Sequence, residues 1–289
     1  MPRTRLDPHT VKSDQRATWD AISPGWEASL AVFERGAARV TDRLLELGGV
    51  RPGQRVLDVA TGLGEPALTA ARAVGPRGRV VGVDISPGML EVAARRARGL
   101  GNIEFEVGDL EAIDRQTGSF DVVLSRWGLM FALDRVRALR TIAGLLAPGG
   151  VLAAAVWGPP RSAPMMSFGY AVLGKMIDLE PPPPGTPGPF TMSEPEGVAE
   201  ELRAAGLGEV SVEEEVVPFR LRTGAEYAEF TRSVAPPALL RRVRDRFGSE
   251  DAPAVWRAVA EAVEDSYADG DGVLLPSTAL CLRAVAPAG

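Results

Sequence analysis

The chain has 289 residues, 45% hydrophobic and 24% charged, with a formal net charge of −6, which suits one large α/β domain or a core with a cap and excludes a wholly disordered chain. The acidic balance argues against nucleic-acid partners, and one cysteine with one histidine leaves no disulfide framework and too few soft ligands for a structural zinc site. No apolar run approaches the roughly 20 residues that span a bilayer, and the N-terminus is polar, so a cytoplasmic protein working on small molecules without a metal is expected.

In chain order, residues 1–50 read as a helical lid. Trp19, Ile22 and Trp26 recur at helical spacing, Ser23-Pro24-Gly25 predicts a break, and a second helix is expected from about 28 to 47. Across 51–158, strands at 55–60, 79–84, 103–109, 120–125 and 151–157 alternate with helices at about 65–74, 87–99 and 134–146. That alternation predicts parallel strands, right-handed crossovers and helices on both faces: a doubly wound, Rossmann-like α/β core. Residues 159–192 read as a cap, a short helix near 163–178 followed by a proline-rich loop from Pro181 to Pro189. In 193–289 the core resumes. A helix is expected with Ser193 as N-cap, Glu196 completing a capping box and Gly206 as stop, then a strand at 210–219. A helical insert at 224–268, in three pieces (225–234, 238–247 and 253–267), precedes a last strand at 278–285. The helices outside the alternating core are expected to cover the carboxyl edge of the sheet, where open α/β folds bind ligands.

The first strand runs through Val56-Leu57-Asp58-Val59-Ala60-Thr61-Gly62-Leu63-Gly64 into Glu65-Pro66 and a helix. Gly62 and Gly64 let backbone approach a ligand without Cβ interference, and Pro66 suits a first helical turn whose free N–H groups face that ligand. Asp84 ends the second strand twenty residues after Gly64, where a carboxylate can accept from both hydroxyls of a ribose. Asp109 ends the third strand after Gly108 and can accept from an exocyclic adenine amine, with Ile85 or Leu110 against the ring. An adenosine-containing cofactor is expected. Glu65 would repel a pyrophosphate at this helix end and not a cationic group, which favours a single-nucleoside sulfonium or ammonium over a dinucleotide.

These residues resemble the class I S-adenosylmethionine-dependent methyltransferases, nearest the branch of ubiquinone/menaquinone C-methyltransferases and related small-molecule enzymes. Val56 to Gly64 looks like the first motif of that family, Val81-Gly82-Val83-Asp84-Ile85-Ser86 its second, and Gly108-Asp109-Leu110 its adenine motif. Phe120 to Phe131 and Leu146-Ala147-Pro148-Gly149-Gly150 resemble its fourth-strand segment and the turn before strand five. The resemblance implies S-adenosylmethionine as cofactor and a seven-stranded, mostly parallel sheet with one antiparallel strand near its edge. The cofactor site it implies draws on Asp58, Ala60, Thr61, Gly62, Gly64 and Glu65, then Asp84, Ile85 and Met89, then Gly108, Asp109, Leu110 and Ser125. Ala60-Thr61 stands where Gly-Cys is frequent in the family, and Glu65 where a neutral residue is usual. Glu65 either bonds the methionine ammonium or is a helix-start acid favoured by the dipole.

Methyl transfer from sulfonium is an in-line displacement in which positioning in a dry site does most of the work. His9, the sole histidine, sits in a polar tail, which argues against an obligatory histidine base. The acceptor pocket is expected to draw on Arg126, Trp127, Met130, Phe131 and Trp157 after strands four and five, closed by Trp19, Trp26, Tyr227 and Phe230. Arg126 and Tyr227 are the candidate catalytic residues; Arg126 either holds a ligand carboxylate or pairs with a structural acid. The expected activity is methyl transfer to carbon or oxygen of an apolar small molecule in quinone or secondary metabolism, with homodimerisation open. Its rivals are a cofactor-binding cyclase or rearrangement enzyme, an NAD-dependent oxidoreductase and a regulatory binding protein.

Overall fold

The computed structural model describes residues 7–179, 182–183 and 185–288; residues 1–6 of the expected lid and Pro181 and Pro184 of the proline run lie outside the described residues. The chain enters through α1 (Pro8–Gly48), one helix of 41 residues where two were expected. Asp7 caps it by accepting from the His9 and Thr10 amides at 3.3 and 3.2 Å. Pro24 does not break the helix because its main cost is local. The Asp20 carbonyl that loses the Pro24 N–H accepts instead from Ser23 Oγ at 3.1 Å. The next residue, Gly25, lies so close to the backbone of Ser233 that a Cβ there would stand 1.8 Å from its carbonyl oxygen. Burial of Phe33, Ala37, Val40 and Leu44 along one stripe then fixes the second half of α1 to the core.

The sheet has the order β3-β2-β1-β4-β5-β8-β6, formed by β1 (Arg55–Val59), β2 (Arg79–Asp84), β3 (Ile103–Val107), β4 (Phe120–Arg126), β5 (Leu146–Trp157), β6 (Gly208–Leu221) and β8 (Gly272–Val285). An eighth strand, the two-residue β7 (Ala268–Asp269), pairs only with β8, so the expected seven strands gain a short eighth. β3, β2, β1, β4 and β5 are mutually parallel, and β8 is antiparallel to both β5 and β6. β8 starts earlier than the expected 278–285. Its Pro276 pairs with Pro218 of β6 beyond the end of β5, whose last partner is Ala279, so no central ladder loses a donor there.

Helices α2 (Ala67–Val74), α3 (Pro87–Arg96), α4 (Arg135–Leu145) and α6 (Pro195–Ala204) pack on the sheet as crossovers, and α5 (Pro164–Met176), α7 (Gly224–Ser233), α8 (Pro237–Phe247) and α9 (Pro253–Tyr267) form the cap and insert. The expected capping box at Ser193 is not formed: Glu194 is the N-cap of α6 without a side-chain bond, because Pro195 takes the first helical position and leaves Ser193 one residue outside. From β1 the chain winds outward to β2 and β3, then returns to β4 on the other side. This reversal opens a crevice at the carboxyl ends of β1 and β4, the place where doubly wound sheets bind ligands. Among the described residues, no helix is long and apolar enough to cross a membrane.

Candidate active site

The glycine turn leaves β1 through three left-handed residues, Ala60 (φ 56°), Gly62 (φ 54°) and Gly64 (φ 102°). A Cβ on Gly62 would meet nothing within 4 Å, since this residue forms cavity wall, whereas one on Gly64 would press on Leu68 Cδ1 at 3.0 Å. Asp58 lies beneath the turn, fully buried, and braces it by accepting from Thr61 Oγ1 at 2.6 Å and the Ala67 amide at 3.0 Å. Its Oδ1 has no partner among the described residues, and burial pushes its carboxyl up to about 7. Ser125 is likewise fully buried with an unpartnered Oγ. Asp58, Gly64 and Ser125, expected to touch the cofactor, are not cavity wall; of the three, Asp58 supports the turn from behind.

Asp84 and Asp109 stand at the strand ends as expected, and both line the cavity. Asp84 accepts from the Gly62 amide at 2.8 Å and the Ser86 amide at 2.9 Å, tying the turn to β2. Burial raises its carboxyl to about 6 against the lowering effect of those amides. Two oxygens held in one plane with lone pairs to spare can take a vicinal diol. Asp109 accepts from Lys12 Nζ at 2.9 Å and the Glu111 amide at 3.0 Å, and Lys12 also contacts the Glu111 carboxylate. Ala60, Thr61, Ile85, Met89, Gly108 and Leu110 complete this end of the wall. Glu65 also lines it. Its carboxylate accepts from Thr69 Oγ1 at 2.8 Å and the Thr69 amide at 3.2 Å, with Arg96 Nη2 at 3.4 Å.

The cavity encloses about 1180 Å³ of unfilled space, its solvent mouth included. Its far end is aromatic. Trp127 and Trp157 stack at 4.3 Å and 6° between planes, and Phe33 meets Trp127 at 5.2 Å; nearer the turn, Trp19 packs on the cluster of Ile22, Leu63 and Met89 and meets Phe131 edge-on at 5.0 Å. Met130 and Trp26 add to the same wall. Trp127 is in left-handed backbone (φ 59°), a rare conformation for a bulky residue, held by its amide's 2.7 Å bond to the Ala155 carbonyl.

Arg126 points into α1. Its Nη1 donates to Glu34 Oε2 at 3.0 Å, Thr41 Oγ1 at 2.8 Å and the Ala37 carbonyl at 3.2 Å, and Nη2 reaches Glu34 Oε1. Of the two alternatives for this residue, the structural ion pair is formed, yet both partners remain part of the cavity wall. Tyr227 and Phe230 do not line the cavity. The Tyr227 hydroxyl donates to the Pro164 carbonyl at 3.0 Å and accepts from the Gly169 amide at 2.8 Å, and burial pushes the phenol up, so it is unsuited to proton removal. Phe230 packs behind the wall, against Trp26 and Phe33. His9 is exposed in the first turn of α1.

Residue-by-residue reading of the sequence missed Lys12, Gln15, Leu30, Phe33 and Glu34, all on α1, together with Arg96, Met166 and Pro189. A signal existed. Positions 12, 15, 19, 22, 26, 30 and 33 keep one helical phase straight through Pro24, which marks a single face of a single helix.

Comparison with known proteins fits this arrangement. A methyltransferase-domain family matches residues 56–150. The ubiquinone/menaquinone biosynthesis C-methyltransferase UbiE of Pseudomonas putida (strain GB-1) is 34% identical over 192 residues, covering 61% of this chain and 75% of that protein. In fold the chain is similar to the YcgJ protein of Bacillus subtilis, with a TM-score of 0.57 and 19% identity over 87% of this chain and all of that one. It is also similar to the [4+2]-cyclase SpnF, with a TM-score of 0.53 and 24% identity over 88% of this chain and 82% of that one.

Proposed function

This chain belongs to the class I S-adenosylmethionine-dependent methyltransferases, and from that premise we propose that it methylates carbon or oxygen of an apolar, ring-containing small molecule of the quinone type. The observation that carries this reading is one cavity joining the strand-end carboxylates Asp84 and Asp109 to a wall of tryptophans. Family membership displaces the NAD-dependent oxidoreductase expected as a rival. The curated relative, a C-methyltransferase of quinone biosynthesis, supports the acceptor class.

The residues present suit the cofactor. Gly62 has open space where a Cβ would be, Asp84 and Asp109 offer acceptors to ribose hydroxyls and an adenine amine, and Met89 and Leu110 offer apolar surface to the ring. When bound, S-adenosylmethionine supplies an electrophilic methyl group on a cationic sulfur. The protein's part is to hold and exclude water. Gly62 and Asp84 fix the turn, Gln15 ties α1 to the Phe131 carbonyl at 2.9 Å, and Asp20 ties it to Ser86 Oγ at 2.5 Å and the Gly88 amide at 3.0 Å. The stacked tryptophans orient a flat acceptor against the open side of the turn.

Labelled S-adenosylmethionine incubated with hydroquinone, naphthol, polyketide and terpenoid acceptors tests the reading by product mass. Methyl-labelled hydroquinone or naphthol is the expected result. Label only on polyketides or terpenoids refutes the quinone class, and product formed without cofactor consumption points to the cyclase alternative, which a fold likeness alone supports.

A further inference from the structure

The aromatic end of the cavity lacks a group suited to take a proton from the acceptor. Among the described residues, its carboxylate is Glu34, held at both oxygens by Arg126, and the Tyr227 phenol is sequestered behind the wall. Glu65, Asp84 and Asp109 stand at the turn end.

What the aromatic end does offer is donors. A guanidinium carries five N–H groups, and no described residue accepts from Arg126 Nε, the bonds to Glu34, Thr41 and the Ala37 carbonyl all using Nη1 and Nη2. The Nε1 of Trp127 and of Trp26, both on wall residues, are buried without a partner among the described residues. Arg126 Cζ is 5.3 Å from the Trp127 ring centroid, so the guanidinium and this indole occupy one corner. Trp127 is also the bulky residue kept in left-handed backbone. Strain of this kind persists where surrounding structure enforces it, and it concentrates at sites of function.

We propose that this corner is an oxyanion subsite: Arg126 and the Trp127 indole N–H receive a phenolate or enolate oxygen of the acceptor, which is activated by acidification of its own hydroxyl rather than by a general base. The inference rests on the ring-acceptor reading above. The hydroxyl proton goes to solvent as the acceptor binds. The acceptor's electron pair then forms the new bond to the methyl carbon while the sulfur–carbon pair stays on sulfur; for attack through carbon, the resulting dienone gives its ring proton to water after product release and the ring regains aromaticity. Donors preorganised around a developing negative charge in a site shielded from water are an effective form of catalysis. They offer nothing to an ammonium, and the charge of Glu34 is already matched by Arg126.

The test is spectroscopic and needs no turnover. 4-Nitro-1-naphthol, whose anion and neutral form differ in visible colour, is titrated with pH on the protein saturated with S-adenosylhomocysteine. The bound probe is expected to ionise at least about one pH unit below its value in buffer, a tenfold preference for the anion. Trp127→Phe, which keeps a ring in place, is expected to lower that preference severalfold, Arg126→Gln to abolish it and Arg126→Lys to restore part of it. Circular dichroism and melting on each variant separate this effect from misfolding, and Trp127→Phe decides if Arg126→Gln does not fold. An unchanged or raised ionisation midpoint, a Trp127→Phe protein indistinguishable from wild type, or no binding of the probe overturns the proposal. A naphthol series of graded acidity, assayed for methyl transfer, separates the two readings. Transfer with an unshifted midpoint sinks the oxyanion subsite alone, and a shifted midpoint without transfer to any ring acceptor sinks the acceptor class alone.

Discussion

Replacing Asp58 by asparagine should flatten the dependence of stability on pH. Burial holds the Asp58 carboxyl at about 7 in the native protein against an ordinary value of 3.8. A native carboxyl raised in this way binds a proton that the unfolded chain has released, so its contribution is complete below pH 3.8 and is lost as pH rises through about 7. At about 1.4 kcal/mol per pH unit, the whole displacement amounts to roughly 4 kcal/mol, of which about 3 falls between about pH 5 and about pH 8. Asp84, raised to about 6, adds about 1 kcal/mol over the same interval. Urea unfolding followed by tryptophan fluorescence at both pH values reads the difference directly. Wild type should lose roughly 4 kcal/mol over that interval from these two groups and Asp58→Asn only the share of Asp84, whatever the substitution does to absolute stability. Parallel pH slopes in the two proteins would refute the argument, because they would mean that Asp58 is ionised throughout.

Other outcomes follow from the same geometry. Asp84→Ala should weaken S-adenosylhomocysteine binding about a hundredfold or more by calorimetry while the chain stays folded, as two hydrogen bonds to a charged group are lost; unchanged affinity removes the ribose role. Tyr227→Phe should lower stability by about 1–2 kcal/mol, since the Gly169 amide and Pro164 carbonyl lose their partner, and should leave kcat per folded molecule unchanged. A collapse of kcat would put the phenol back into the reaction. Gly25→Ala should cost about 3 kcal/mol or more, visible in a melting curve, because its Cβ would meet the Ser233 carbonyl and neither backbone can yield alone. A near-normal melting temperature would mean that α1 does not pack there.

The core was legible in the sequence because its signals are local. β2 matches the expected 79–84 throughout, and the glycine turn, Asp84 and Asp109 fall where strand ends put them. The misses share a different cause, partners distant in sequence. Pro24 reads as a breaker until Ser23 is seen to satisfy the Asp20 carbonyl and the Gly25 backbone to lie against α7. Tyr227 and Phe230 read as pocket lining from type and location, and only packing shows Tyr227 spent on α5 and Phe230 one layer behind Trp26. Arg126 was an open choice because Glu34 and Thr41, which settle its pairing, lie 92 and 85 residues away.

Helix α1 is a rod of about 60 Å clamped most firmly in its second half. From Phe33 to Leu44 it cannot shift without exposing core side chains to water, whereas from Lys12 to Asp20 it is fastened by the polar contacts of Lys12, Gln15 and Asp20, which water can replace at small cost, and by Trp19, which packs on Phe131 and on the Ile22, Leu63 and Met89 cluster. Bending therefore concentrates toward its beginning, over Asp84 and Asp109, and leaves the Glu34–Arg126 corner still. On the function proposed above, donor exchange needs only the start of α1 to move, and the proposed acceptor corner stays assembled.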